Sequence, residues 1–157
     1  MDLTRLELSA IYAVNTSPPK NIAFIGSGPL PLSSLCVCQA LDKVHGGPGI
    51  TTVLNIDHDS QAIVQSHTLV AKLGCSAQGM HFLCQEAGSA EMDLRRFDVV
   101  YLAALVGMTQ DGKESVLVEV VRGMRVGSLL VVRTAHGLRS LLYPVSLSLV
   151  TRGHFFV

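Results

Sequence analysis

Apolar residues along this chain fall into two alternating patterns. Short apolar-rich runs occur at NIAFI (21–25), TTVLNI (51–56), MHFLC (80–84), FDVVYLAAL (97–105) and SLLVVR (128–133). Each is of strand length, and unbroken apolar character marks strands covered on both faces, as in a parallel sheet. Helical periodicity fills the gaps. Residues 59–73 open on Asp59 and Ser60, both good caps, and stop before Gly74, a residue suited to follow a helix end. Residues 111–125 carry Val116, Leu117, Val120, Val121 and Met124 on one stripe, which predicts one buried helical face. Residues 2–14 place Leu3, Leu6, Ala10 and Ala13 at helical spacing, and NTSPPK then breaks regularity because Pro18 and Pro19 both disfavour helix. Strand–helix alternation predicts right-handed βαβ crossovers and an α/β fold with a doubly wound, mostly parallel sheet. The division expected is an N-terminal helical segment and linker over 1–19, followed by the sheet domain over 20–157.

Composition narrows the classes. Apolar residues make up 48% of the 157, and charged residues only 15%, which excludes disorder. Twelve basic residues balance twelve acidic ones, so wrapping nucleic acid or binding an anionic membrane is not the main task. The longest uncharged stretch, Asn21 to Leu41, is long enough for a membrane span, but Gly26, Gly28, Pro29 and Pro31 interrupt it. Asp2, Arg5 and Glu7 interrupt any signal-peptide core, which with the cysteines points to a cytoplasmic protein. Cys36, Cys38, Cys75 and Cys84 form neither a CxxC nor a zinc spacing, and are expected as small buried hydrophobes in a reducing compartment. The six histidines are scattered, so no protein-bound metal is expected.

The candidate chemistry gathers on one sheet edge. Gly26-Ser27-Gly28-Pro29-Leu30 directly follows the first strand and opens a helical pattern. The two glycines allow a tight turn and a close approach of backbone to ligand, although Pro31 stands where the dinucleotide fingerprint has its third glycine. Alone, the motif reads equally as a plain strand-to-helix turn. Asp57 ends the second strand, where a carboxylate can accept from both ribose hydroxyls; Asp59 fits a helix cap better. Glu86 puts another carboxylate after the third strand. These suit an adenosine group, and without a P-loop or a complete phosphate fingerprint S-adenosylmethionine is favoured over NAD.

Four blocks, IAFIGSGPLPLSS, NIDHDSQA, FDVVYLAALVGM and VVRTAHGLRSLLYP, in this order and spacing resemble the nicotianamine synthase family. The plant enzymes have a GSGP turn, a D-I-D-S segment, a YDVVFLAALVGM strand and a LRSAHALRAFLYP block. The resemblance implies a Rossmann-like methyltransferase core that uses S-adenosylmethionine without moving its methyl group. Such enzymes transfer 3-amino-3-carboxypropyl groups to amines, close an azetidine ring and release methylthioadenosine; the product, nicotianamine, chelates iron, copper, nickel and zinc. Glu7 in the Leu6-Glu7 pair looks like the family glutamate that serves proton transfers, with a solvated helix-surface glutamate as the competing reading; Tyr12 is a weak assistant. Ala103, Ala104 and Leu105 would line the adenine and sulfonium region, or simply the centre of the sheet. Arg133 ends a strand on the ligand edge and could clamp a substrate carboxylate, with His136 and Tyr143 as further substrate contacts.

Plant members carry a long helical region ahead of this core and further strands after it, so the chain is expected to be a shortened or partial member lacking the last strands. An exposed apolar edge near His154–Val157 would then favour self-association. Two other functions stay open: an ordinary small-molecule methyltransferase, and a non-catalytic cofactor-binding module.

Overall fold

The computed structural model describes residues 3–15, 17–103, 106 and 110–133. In chain order the elements are α1 (Leu3–Val14), β1 (Asn21–Ile25), α2 (Leu32–His45), β2 (Thr52–Asp57), α3 (Ser60–Ala71), a 3₁₀ turn (Gly74–Ala77), β3 (Met80–Cys84), β4 (Val99–Leu102), α4 (Gln110–Gly123) and β5 (Leu129–Val132). Each of the five apolar-rich runs carries one strand, the run 97–105 only over Val99–Leu102. They form one sheet in the order β3-β2-β1-β4-β5, with every neighbouring pair parallel. The order reverses between β1 and β4, which opens a crevice at the carboxyl ends of the strands.

Each central strand feeds two cores by alternation. Ile22, Phe24, Val53, Val99, Tyr101 and Val131 pack with Leu8 and Ile11 of α1 and Val37 and Leu41 of α2. Ala23, Ile25, Leu54, Ile56, Val100 and Leu102 pack on the opposite face with Leu94, Phe97 and the α4 stripe of Val116, Leu117, Val120, Val121 and Met124. Covering both faces is what fixes the register, because a one-residue slip would exchange the two sets. Only β3, at an edge, has a largely uncovered end, with His81, Leu83 and Cys84 exposed.

Two carboxylates, Asp42 buried and Asp98 half-buried, fasten the loops at the opposite edge. Asp42 in α2 accepts from the Thr51 and Gly49 amides at 2.8 and 2.9 Å, which holds the connection into β2. Asp98 accepts from the Lys20 and Asn21 amides, both at 2.9 Å, and pairs with Arg125.

Two expectations are corrected. In α1 the buried face is Thr4, Glu7, Leu8 and Ile11, whereas Leu3 and Leu6 of the anticipated stripe are exposed. Leu8 and Ile11 reach the core, and Glu7 on the same face finds a cationic partner. Of the cysteines only Cys38 is buried; Cys36, Cys75 and Cys84 are exposed, because they fall on the outer side of α2, on the 3₁₀ turn and at the uncovered end of β3. Among the described residues, no helix is long and apolar enough to cross a membrane and no cluster of three metal-ligating side chains occurs. The anticipated edge at His154–Val157 lies outside the described residues.

Candidate functional site

The turn after β1 is built around two positive φ angles, +78° at Gly26 and +66° at Gly28. The Gly26 and Ser27 amides both donate to the Ile56 carbonyl, at 2.8 and 3.2 Å, which ties the turn to the end of β2. A side chain at Gly26 would overlap Val106 and press on Ala103, whereas at Gly28 it would meet nothing within 4 Å. Gly26 therefore serves close packing, and Gly28 leaves open surface.

Asp57, buried at the end of β2, accepts from the Gly28 amide through Oδ2 at 2.8 Å and from the Asp59 amide through Oδ1 at 3.0 Å. The exposed imidazole of His58 lies 3.4 Å from Oδ1. With the Gly26, Ser27 and Gly28 amides all partnered internally, the turn is not an anion cradle; it offers a shaped surface beside a fixed carboxylate. Asp59 caps α3 by accepting from the Gln61 amide at 2.8 Å. Pro29 and Leu30 are exposed on the turn, and Glu86 is exposed beyond β3.

On the other side of the turn, Arg133 follows β5, its amide donating to the Leu102 carbonyl at 3.0 Å. Its guanidinium meets Glu7 in a two-pronged pair, Nε to Oε1 at 2.9 Å and Nη2 to Oε2 at 3.0 Å. Nη1 donates to Ser33 Oγ at 2.9 Å, which brings in the first turn of α2. The pair is largely withdrawn from water, with side-chain exposures of 22% for Arg133 and 9% for Glu7. Below it lie Phe24 and Tyr101, register partners on β1 and β4, stacked at 4.2 Å between centroids and within 4° of parallel. The guanidinium carbon sits 5.6 Å from one ring centroid and 5.5 Å from the other, a cation–π arrangement.

Burial, and then the nearby Glu7 carboxylate, push the Tyr101 phenol well above its ordinary value. Partial burial raises Tyr12, which stands on the more exposed side of α1. A small pocket of about 50 Å³ lies here, lined among others by Gly26, Ser27, Ser33, Tyr101, Ala103 and Arg133. The Ser27 and Tyr101 hydroxyls are buried without a partner among the described residues.

The fold thus brings Glu7, the Gly26–Gly28 turn, Asp57, Ala103 and Arg133 to one sheet edge, with Asp59 as a cap and Glu86 at the periphery. Ala104, Leu105, His136 and Tyr143 lie outside the described residues. Ser33, Phe24 and Tyr101 escaped the sequence reading. The one available signal was Tyr101, a polar oxygen within the otherwise apolar run FDVVYLAAL.

The nicotianamine synthase family model matches residues 1–154. Nicotianamine synthase 2 of Arabidopsis thaliana is 37% identical over 145 residues, 92% of this chain and 43% of the relative. Nicotianamine synthase of Solanum lycopersicum is 38% identical over 143 residues, 91% of this chain and 43% of the relative. The chain spans less than half the length of the curated relatives it matches. Among solved structures, a variant of MtNAS in complex with S-adenosylmethionine superposes with a TM-score of 0.65 at 24% identity, over 92% of this chain and 51% of that one. An S-adenosylmethionine-dependent methyltransferase from Methanosarcina mazei gives 0.60 at 22% identity, over 77% and 54%. These structural likenesses show the methyltransferase-type fold. With the family model matching residues 1–154 and plant relatives 37% and 38% identical over 92% and 91% of this chain, the chain belongs to the nicotianamine synthase family.

Proposed function

We propose that this chain is a cytoplasmic, nicotianamine synthase-like transferase that moves 3-amino-3-carboxypropyl groups from S-adenosylmethionine to amines, forming nicotianamine and methylthioadenosine. The observation that carries the reading is the meeting of Glu7 and Arg133, 126 residues apart, beside the Gly26–Gly28 turn. A solvated helix-surface glutamate would have no such partner.

The donor fits the described residues. Open space at Gly28 lets a flat adenosine approach the backbone, and each Asp57 oxygen, already holding one amide, keeps a lone pair for a ribose hydroxyl. Ala103 supplies a small apolar wall. The sulfonium makes its attached carbons electrophilic, and pose decides which one reacts, since the nucleophile must meet it in line at about 3–3.5 Å.

The new C–N bond forms as the C–S bond breaks, and the sulfur departs as a neutral thioether that needs no acid. The attacking amine must shed its proton, and Glu7 receives it on a remaining carboxylate lone pair while the two-pronged Arg133 pair fixes the carboxylate in place. Arg133 is therefore a positioning residue for Glu7, in addition to its attraction for substrate carboxylates.

Glu7→Gln tests the reading. Methylthioadenosine release, followed chromatographically, should fall by about 10²–10⁴-fold while S-adenosylmethionine binding survives. Release at the parent rate removes Glu7 from the mechanism. S-adenosylhomocysteine as the parent's product would make the chain a methyltransferase, and binding without any release would make it a non-catalytic module.

A further inference from the structure

Resting on the donor site proposed above, we propose that the Tyr101 hydroxyl, with that of Ser27, holds the α-carboxylate of the aminocarboxypropyl arm and so makes this site selective for a carboxylated sulfonium.

Tyr101 is 1% exposed, and its oxygen has no partner among the described residues. An unpaired buried hydroxyl is a standing cost that native proteins rarely keep without use. Packing does not explain it, because the stack on Phe24 and the place under Arg133 need only the ring.

A second observation converges on the same spot. Ser27 Oγ is also buried and unpartnered, and both residues line the one cavity at the turn. Its volume of about 50 Å³ admits a water or two, or a group the size of a carboxylate.

The surroundings select the kind of group. The wall carries the Arg133 guanidinium, and the remaining polar lining is hydroxyl. Burial and the neighbouring Glu7 keep the Tyr101 phenol protonated, so it enters as a donor. Two hydroxyl donors converging on one cavity suit a hydrogen-bond acceptor with two oxygens, such as a carboxylate. The position suits the arm as well. Asp57 stands on the β2 side of the turn, and Tyr101 and Arg133 stand on the β4 and β5 side, so a donor with its ribose at Asp57 directs its tail toward the cavity.

Decarboxylated S-adenosylmethionine retains the sulfonium and the amine but lacks the carboxylate, which makes it the discriminating probe. Calorimetric titration of the parent, Tyr101→Phe and Ser27→Ala with both compounds is the experiment. The parent should bind S-adenosylmethionine more tightly than the decarboxylated form. Tyr101→Phe should weaken the former roughly ten- to a hundredfold, the range for a hydrogen bond to a charged group, and leave the latter unchanged. Ser27→Ala should act in the same direction, and Tyr101→Phe should keep or raise the melting temperature of the ligand-free protein. Equal effects on both ligands, or no effect on either, overturn the proposal and leave the donor site standing. If the parent binds neither compound, the donor site itself fails and this inference falls with it.

Discussion

Cutting the Glu7–Arg133 pair should cost this protein a measurable fraction of its stability. The two charges meet through bonds of 2.9 and 3.0 Å, with side-chain exposures of only 9% and 22%. With charge centres about 4 Å apart and an effective dielectric near 20, their attraction is about 4 kcal/mol, partly offset by the desolvation of both groups. Glu7→Gln keeps the shape but turns an amide N–H toward the guanidinium and leaves Arg133 half-buried with Ser33 as its named remaining acceptor. Losing one partner of a fully buried pair costs about 3–5 kcal/mol; with Arg133 still partly wetted, about 2–3 kcal/mol is expected here. For a domain of this size that lowers the melting temperature by roughly 5–10 °C. Arg133→Met removes the other charge, and the double variant closes a thermodynamic cycle, measured by urea unfolding so that the denaturant adds no salt. A coupling of about 2 kcal/mol is expected, and added salt should reduce it little because the pair is shielded from solvent. Additive effects within about 0.5 kcal/mol would refute the reasoning, since the pair would then hold nothing that its members do not hold separately.

The two turn glycines should behave differently. Gly26→Ala combines a left-handed φ with overlap against Val106 and a 3.1 Å approach to the Ala103 Cβ, and should cost about 2–4 kcal/mol; Gly28→Ala meets only the backbone cost of about 1–2 kcal/mol. Equal urea midpoints for the two would overturn the assignment of Gly26 to packing and Gly28 to open surface. In the native protein at pH 8, three thiols should react with a disulfide reagent at ordinary rates, and Cys38 only after unfolding, because burial and then the Asp42 charge push its thiol up to about 11. The same shift implies that stability falls as pH rises above about 9, where the unfolded thiol ionises and the folded one does not, and levels off near 11.

Strands β1, β2, β4 and β5 were legible because each is covered on both faces, which leaves an apolar run that nothing else in the chain imitates. The α4 stripe and the Asp59 cap were legible for the same reason: local chemistry decides them. The orientation of α1 was not, since Leu3, Leu6, Ala10 and Ala13 give as good a helical stripe as the face the fold uses. The face used packs Leu8 and Ile11 into the core and sets Glu7 against Arg133, and no periodicity within residues 2–14 registers such distant partners. Glu7 and Arg133 were both singled out, yet as a free base and a free clamp; that they grip each other is a property of the sheet order, which places the end of β5 within reach of α1. Asp57 was read as a ribose acceptor, but its bonds to the Gly28 and Asp59 amides depend on a turn whose φ angles only the folded chain displays. The cysteines were misjudged because composition alone cannot place the outer side of α2 or the uncovered end of β3.

The clasp between the first helix and the last described strand also orders events in time. Glu7 leaves the ribosome 126 residues before its partner, a delay of roughly 6–25 s at usual synthesis rates. During that interval α1 can dock Leu8 and Ile11 against α2 and β1, but the acid among them has no counter-charge. The nascent chain therefore cannot complete its site from the N-terminus forward; the site closes only when β5 joins the sheet. Pairings this distant in sequence slow folding, and a helix waiting for one is the element most exposed to capture by a chaperone or a neighbouring chain. Mutations that weaken β5 would accordingly surface first as poor yield, before any loss of activity could be assayed.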